Sequence, residues 1–432
     1  MNGSGTSKST FAAVCALCAL SLRSTIAQAD VVLSTIPQPG VVLHDADNWL
    51  FYTTGLVAAH YQLIQGDGDP ISPHIIVGGQ IDNTETQDQN NKLVDSRIRS
   101  GFVGTQIGFG IVNKINEDYQ AKGFLAVSLN GIDSDKGTPP ASKDVDFREA
   151  WAALSGPFGT FTFGREFSIF GSASGAVVNY AFAYAVGHPC LADTSTISCG
   201  SVGAGPLYAG YNADFRYATP RLGGFQLLAS MEDPSSLPEA HITRLPRFEG
   251  EANYLLNFGA DGKLVIQAQG VTQQVGSLND TKTGTTTETA WGAMGAGRLE
   301  VGGLKLGGGL WTGVGMGTDT VLQQDDQANP LAQDSAGVLR RFLGYFGNAQ
   351  YDYHGTALTV GAGATFVQET SADAAPMSNI SLVKQNVEYH AVLTQRFHSL
   401  IFDAEYMHWK SDWYLGESQT LNFLSAGANF IW

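Results

Sequence analysis

Four arginines stand where guanidinium groups could bind or sort charged solutes: Arg97, Arg99, Arg148 and Arg216. Each alternates with apolar or aromatic neighbours. Because side chains of an extended strand point to opposite faces in turn, these arginines should share a polar face. The acids that could pair with them there are Asp146 and Asp214. The pattern predicts a polar surface with fixed positive charges and carboxylates close by.

Motifs of catalysis are absent from the sequence. It has no G-x-S-x-G, G-x-G-x-x-G, P-loop or H-E-x-x-H pattern. Ser172 and Ser174 lie between Gly171 and Gly175, in a context typical of a flexible loop. No cofactor is expected. A hydrolase is kept only as an alternative for the function of the chain.

The N-terminus has the three parts of a secretory signal peptide. Lys8 precedes an apolar run over 11–20, and Ala27-Gln28-Ala29 forms a cleavage site before Asp30. We predict a signal peptide over residues 1–29; a short buried helix is the alternative. No later segment approaches the 18 consecutive apolar residues of a transmembrane helix.

Export would leave two cysteines, Cys190 and Cys199, in an oxidising compartment. We predict a disulfide between them, which would stabilise the chain by roughly 2.5–3 kcal/mol on the loop-entropy estimate. A zinc site formed by both cysteines and His188 is the alternative, although no fourth ligand is evident nearby. No other metal site is expected.

Composition narrows the class of protein. Charged residues make up 15% of the chain and 52 of its 432 residues are glycine, whereas soluble domains average about 25% charged residues and about 7% glycine. The net charge of −16 excludes nucleic-acid binding, since no basic patch offsets it. With 43% hydrophobic residues the chain is not disordered.

Hydrophobic alternation of period two recurs through the chain. In 248–258, Phe248, Tyr254, Leu256 and Phe258 share one face, and polar residues occupy the other. Alanine, glycine and terminal aromatics dominate the apolar faces, as is typical of lipid-facing barrel strands. We predict sixteen strands: 49–64, 97–112, 119–131, 145–155, 159–167, 211–219, 225–232, 248–258, 263–275, 289–300, 304–316, 341–353, 356–368, 385–396, 400–410 and 419–432.

The connections between these strands alternate in length. Short ones such as 156–159 and 354–355 are rich in turn residues, and long ones such as 168–210 and 317–340 are polar or acidic. This alternation favours an all-β, transmembrane antiparallel β-barrel over residues 49–432, preceded by an extension over 30–48. Residues 75–82 could add to the strand count, so eighteen strands is the alternative.

Three stretches of the chain resemble the Gram-negative general porins. Residues 96–106 are similar to the second strand of that family, 147–165 to the hairpin of strands four and five, and 215–225 to the hairpin after the constriction loop. The last strand, with Phe430 and Trp432 on its apolar face, resembles the C-terminal signal that the barrel-assembly machinery recognises. The resemblance implies a sixteen-stranded outer-membrane channel for passive diffusion of ions and small hydrophilic solutes.

The resemblance also implies a site. Loop 168–210 would fold inward as a constriction loop facing the wall that carries the four arginines, and its one acid is Asp193. Counting nine basic and nine acidic inward residues, we predict weak selectivity that leans to anions. In the alternative, the arginines only pair with wall acids such as Asp146 or Asp214.

Two charged residues fall on the predicted outer face, Glu149 and Arg165. A lipid-facing charge is costly, so we predict that both lie at a subunit contact of the homotrimer that the resemblance implies, with the membrane interface as the alternative. Its surroundings would be outer-membrane lipid and lipopolysaccharide. Two other classes of protein remain as alternatives to an outer-membrane channel. These are a secreted soluble β-sandwich or adhesin, and a barrel enzyme.

Overall fold

The computed structural model describes residues 40–69, 75–76, 92–129, 145–177, 185–189, 198–235, 245–276, 287–322, 331–375 and 380–432. Their regular structure is almost entirely β. The strands are β1 (Val41–Ala46), β2 (Trp49–Gly68), β3 (Ile75–Ile76), β4 (Lys92–Arg99), β5 (Gln106–Lys114), β6 (Gln120–Leu129), β7 (Val145–Gly156), β8 (Gly159–Phe167), β9 (His188–Pro189), β10 (Ser198–Gly200), β11 (Tyr211–Ala218), β12 (Phe225–Glu232), β13 (Arg247–Phe258), β14 (Gly262–Gly276), β15 (Thr287–Val301), β16 (Leu304–Val314), β17 (Arg341–Tyr353), β18 (Thr356–Gln368), β19 (Ser381–Phe397), β20 (Leu400–Trp413) and β21 (Ser418–Ile431). A short helix, α1, spans Ser172–Val177, and no helix in these ranges is long and apolar enough to cross a membrane.

The strands close into a sixteen-stranded antiparallel barrel. Each wall strand pairs with the next along the chain, and β2 closes the barrel against β21, from Leu56 opposite Ile431 to Gly68 opposite Gln419. Closure leaves no open edge to attract other strands. The predicted sixteen strands are confirmed. The eighteen-strand alternative is wrong, because Ile75–Ile76 adds only a parallel pairing to the end of β19.

The predicted second strand, 97–112, is interrupted in the structure. Its halves, β4 and β5, both pair with β2, and residues 100–105 stand opposite residues 57–59 alone. The extra residues form a bulge on the inner side, where Val103 packs against Leu56 and Ile431. Gly101 and Gly104 have positive φ angles in this bulge, a conformation that suits glycine.

The N-terminal extension begins the sheet early. Of residues 30–48, the described part forms β1, which pairs with Trp49–Thr53 through a tight turn at Asp47 and Asn48, both with positive φ. Trp432 hydrogen-bonds Gly55 immediately next to this hairpin. Residues 49–53 of β2 therefore pair with β1 on one side and with β5 on the other.

Apolar side chains alternate outward as predicted. The predicted apolar face of β13 is exposed, with Phe248, Tyr254, Leu256 and Phe258 between 36% and 44% accessible, and Tyr351 and Tyr353 extend from β17 in the same way. An outward apolar face with aromatic ends is the surface that a lipid bilayer requires.

Connections at one rim are short, and most at the other are long. Two residues join β7 to β8, β15 to β16, β17 to β18 and β19 to β20. At the other rim, the third loop (L3, 168–210) and the sixth loop (L6, 315–340) are the longest. The last connection at that rim departs from the predicted alternation, since residues 414–417 make a turn in which Gly416 has a positive φ.

Part of the barrel interior is filled by an apolar cluster. Phe170 and Leu207 of L3 and Met316 and Leu331 of L6 pack against inner side chains of β14 to β19, among them Trp311. Burying this much apolar surface is strongly favourable. The cluster occupies the β14–β19 side of the interior.

Candidate functional site

L3 enters the barrel directly after β8. The Phe170 amide donates to Glu249 Oε2 at 2.7 Å, and the Gly171 amide donates to Gln269 Oε1 at 3.0 Å. Both acceptors are buried inner side chains, of β13 and β14. L3 thus begins its course inside the barrel, as the resemblance implies.

The middle of L3 contacts the opposite side of the barrel. The Val186 amide donates to Glu405 Oε2 at 2.9 Å, and the Gly187 amide donates to the same carboxylate at 3.0 and 3.1 Å. Gln62 of β2 donates to the Gly187 carbonyl at 2.6 Å, and Phe102 of the inner bulge donates to the Ala185 carbonyl at 2.9 Å. L3 therefore crosses the interior from β13 to β20 and β2.

The returning limb of L3 lies against β16 to β19. Trp311 Nε1 donates to the Gly205 carbonyl at 2.6 Å, and the Gly205 amide donates to Thr365 at 2.8 Å. Gly363 permits this approach, since a Cβ there would stand 2.0 Å from the Ala204 carbonyl oxygen. L3 is held at its start, middle and end.

The polarity of these contacts differs from the expected one. Wall carboxylates, Glu249 and Glu405, accept hydrogen bonds from backbone amides of L3. We expected an acid of the loop to face arginines of the wall, but that acid, Asp193, lies outside the described residues. In the part of the site that the structure describes, the barrel wall supplies the fixed negative charge.

Arg97 and Arg99 point inward from β4, as predicted. Both lie near Asp95 of the same strand: Arg97 Nε is 3.0 Å and Arg99 Nη2 is 3.7 Å from Asp95 Oδ2. Sequence analysis did not single out Asp95, although its parity with the two arginines places it on the same face.

Arg216 also points inward and is buried next to two acids. Its guanidinium lies 3.0 Å from Asp214 Oδ2 and 3.3 Å from Glu166 Oε2, and it donates to the Phe167 carbonyl at 2.7 Å. This is the alternative in which the wall arginines pair with wall acids. Glu166 was also missed, although it follows Thr160 and Thr162 in period two.

Arg148 departs from the predicted alternation because β7 contains a bulge. Opposite β6, the pairing jumps from Glu149 with Ala126 to Asp146 with Ser128. Arg148 is half-buried and its guanidinium lies 5.7 Å from the Tyr211 ring centroid, close enough for a cation–π contact. It does not share the inner face with the other three arginines.

The same bulge turns Glu149 inward, so its predicted place at a subunit contact is wrong. Its side chain is 1% exposed and accepts a hydrogen bond from Trp151 Nε1 at 3.1 Å. Trp151 belongs to an inner cluster with Tyr52 and Phe124. Arg165, in contrast, is exposed on the outer face of β8, as predicted.

The predicted balance of inward charges does not hold in the described strands. Inner-facing carboxylates number thirteen: Asp95, Glu149, Glu166, Asp214, Glu232, Glu249, Glu251, Glu288, Glu300, Asp352, Glu388, Asp403 and Glu405. Inner-facing bases number ten: Arg97, Arg99, Lys114, Lys122, Arg216, Arg247, Lys263, Arg298, Lys305 and Arg396. The described wall has an excess of acid, which opposes an anion preference.

Comparison with known proteins decides the family. The sequence pattern of the Gram-negative porins matches residues 13–391. The chain belongs to the Gram-negative porins. Comparison with curated protein sequences gives no match.

Solved structures of low sequence identity share the fold of this porin. The outer membrane channel DcaP of Acinetobacter baumannii is 15% identical with a TM-score of 0.63, over 91% of this chain and 99% of that one. An anion-selective porin from Comamonas acidovorans is 12% identical with a TM-score of 0.56, over 89% and 100%. OmpF of Salmonella typhi, in complex with daunomycin, is 11% identical with a TM-score of 0.52, over 90% and 100%.

Cys199 of the porin is disulfide-bonded. The partner that the sequence predicts, Cys190, lies outside the described residues, so that pairing stays a prediction. The bonded Cys199 offers no thiolate to a metal, and His188 Nε2 lies 2.5 Å from the Val202 carbonyl oxygen. The zinc alternative is therefore wrong, and no cluster of metal ligands occurs within the ranges described.

A serine of L3 meets a histidine and a glutamate of β19 without forming a catalytic triad. Ser201 Oγ lies 3.1 Å and Glu388 Oε2 lies 3.0 Å from the same atom, His390 Nδ1. A relay needs the nucleophile and the acid on different ring nitrogens. The contact fixes L3 to β19 instead.

Arg340, at the end of L6, holds this loop in place through contacts with residues outside the strands of the porin. It donates to both carboxylate oxygens of Asp373 at 2.7 and 2.8 Å and to the carbonyls of Leu331 and Gln333. Burial alone would raise the pKa of Asp373, but the hydrogen bonds and charge of Arg340 lower it. The pair thus joins L6 to the loop after β18.

Replacing Arg340 by methionine should loosen L6. Breaking a buried ion pair costs about 3–5 kcal/mol, so we expect faster proteolysis within 315–340 while the barrel stays intact. Arg341→Met is the matched control, since that neighbour is exposed at the start of β17. Because the pKa of Asp373 is lowered, the wild-type contact should persist at neutral pH and be lost only below about pH 4. Equal proteolysis of both variants would contradict this role.

Proposed function

We propose that this porin is a weakly selective, water-filled channel whose narrow part is bounded by L3 and the wall from β5 to β12. One observation carries the proposal: L3 crosses the interior and is hydrogen-bonded to Glu249 on one side and Glu405 on the other. An apolar cluster occupies the β14–β19 side. Ions and small hydrophilic solutes would pass along the rest of the wall of the outer-membrane barrel, past Arg216 and the carboxylates beside it.

Liposome swelling tests this function. Vesicles containing the purified porin should swell in isotonic solutions of neutral sugars, and the rate should fall steeply as the sugar becomes larger than a disaccharide. Vesicles without protein are the control. A reconstituted, heat-modifiable barrel that admits none of these solutes would contradict the proposal. The barrel and the family already exclude the soluble sandwich, and hydrolase activity finds no support in the Ser201–His390 geometry.

The porin also has a short wall that suits contact with further copies of itself. Strands β11 and β12 have eight residues each and β8 has nine, whereas β19 has seventeen. A membrane-spanning strand needs about 9–11 residues at the usual tilt, so this wall is at or below the length that lipid requires. It exposes a group of aromatic rings: Phe161, Phe163, Phe215 and Tyr217. Arg165 is exposed beside them.

We therefore propose that β8 to β12 form the contact of a homotrimer that includes Arg165. Arg165→Glu should convert the oligomer to monomers on unheated native gels and in crosslinking. Arg341→Glu is the control, because that exposed arginine lies on the outer face of the longer strand β17. A wild-type monomer, or an Arg165→Glu variant that remains trimeric, would contradict this contact.

A further inference from the structure

An acidic strip runs along the inner wall of the porin beneath the start of L3. It consists of Glu149, Glu166, Asp214, Glu232, Glu249 and Glu251, on β7, β8 and β11 to β13. All six side chains are buried. Of the described inner-facing residues on these strands, two are basic, Arg216 and Arg247. The strip follows the wall along which the channel is proposed to run.

Each arginine of the strip is shared by two carboxylates. Arg216 lies 3.0 Å from Asp214 and 3.3 Å from Glu166. Arg247 contacts Glu249 and lies 3.9 Å from Glu232. Two arginines therefore face four carboxylates, and Glu251 adds a further acid to the strip.

Glu166 and Asp214 lie against each other, and Glu166 Oε2 is also 3.3 Å from Arg216 Nη1, but three of their oxygens accept no hydrogen bond from the described residues. These are both oxygens of Glu166 and Asp214 Oδ1, on side chains that are 1% exposed. Buried carboxylate oxygens are normally satisfied by donors. The strip therefore has acceptor capacity as well as negative charge, and an ammonium group, with three donors and no acceptor, matches both.

The surroundings of the strip strengthen its field. Buried charges are screened far less than exposed ones, and low-dielectric walls focus the field into a channel. The start of L3 adds no acid or base: Ser168 donates to Glu232 at 2.8 Å, and the Phe170 amide donates to Glu249. The contacts of L3 thus leave the sign of the field unchanged.

We propose that the acidic strip makes this channel prefer cations and, among organic solutes, those that carry a protonated amine. The inference rests on the proposed channel function and replaces the anion preference expected from the sequence. Rings and rows of acidic side chains set cation preference in pores by the same physics.

Zero-current potentials in a potassium chloride gradient test the inference. We expect the wild-type porin to pass potassium about three times as readily as chloride at low salt, and the ratio to fall toward one at about 1 M, where charges are screened. Glu166→Gln combined with Asp214→Asn should lower the ratio to one or below. Asp352→Asn is the control, because it removes a lumenal carboxylate that pairs with Lys305 outside the strip.

Liposome swelling with charged solutes gives a second readout that needs no variant. Vesicles with the wild-type porin should admit 1,4-butanediamine faster than butanedioate. A channel that conducts but prefers chloride, or that admits the dicarboxylate faster, would overturn the acidic strip and leave the channel standing. Absence of any conductance would instead overturn the channel function.

Discussion

Replacing Glu405 by alanine is expected to release the middle of L3 from the barrel wall. The substitution removes the acceptor of the Val186 and Gly187 amides. Hydrogen bonds to a charged group contribute about 1.5–3 kcal/mol each, so their joint loss should raise the population of displaced L3 by at least about a hundredfold. In single-channel records we expect frequent transitions to a higher conductance level, which the wild-type porin visits rarely.

Two companion variants make this result specific to L3. Gln62→Ala removes the single contact from β2 to the Gly187 carbonyl and should cause the same transitions less often. Asp352→Asn removes a lumenal carboxylate near Lys305 and should leave the records unchanged. A stable conductance level in Glu405→Ala, with the barrel folded on unheated gels, would show that Glu405 does not hold the loop.

Deleting Phe430–Trp432 is expected to prevent the barrel from forming in the outer membrane. These residues complete the closure against β2, with Phe430 opposite Val57 and Ile431 opposite Leu56, and Trp432 exchanges two hydrogen bonds with Gly55. An unpaired backbone group in lipid costs several kcal/mol, so the open seam should be strongly unfavourable. Membrane fractionation and heat-modifiable gel mobility would measure the loss.

Point variants separate closure from recognition by the assembly machinery. Phe430 is exposed on the outer face, so Phe430→Ala should refold in detergent like the wild type yet reach the membrane poorly in cells. Leu424→Ala is the control, an exposed residue higher on the same strand. Normal cellular assembly of Phe430→Ala would contradict the proposed C-terminal signal.

The wall of the barrel could be predicted because alternation depends on local sequence. Phe248, Tyr254 and Phe258 mark the lipid face of β13 without reference to any other strand. Turn residues such as His354 and Gly355, both with positive φ in the structure, mark the hairpins. Every strand of the barrel needs an apolar face toward the lipid. The alternation of apolar and polar residues therefore predicted all sixteen strands.

The site could be predicted only where strands are regular. Arg97, Arg99 and Arg216 point inward as alternation requires, but the bulge in β7 reverses Glu149 and moves Arg148 off the inner face. A bulge depends on pairing with the neighbouring strand and leaves no local mark in the sequence. Residues 100–105 escaped prediction for the same reason.

The contacts of the loops could not be predicted, because they join residues that are distant in sequence. L6 has a polar composition overall, yet Met316 and Leu331 are buried in the apolar cluster against β14 to β19. Likewise, the carboxylate that holds Val186 lies more than two hundred positions away, at Glu405. The number of acids in the sequence of L3 could not show that acids of the barrel wall, such as Glu405, supply the negative charge.

Single-channel recording from the purified porin in planar bilayers tests the central claim most directly, namely that a water-filled path remains beside the enclosed L3. We predict stepwise, ohmic conductance increments that rise roughly in proportion to salt concentration between about 0.1 and 1 M. A folded barrel that inserts without conducting would contradict the account.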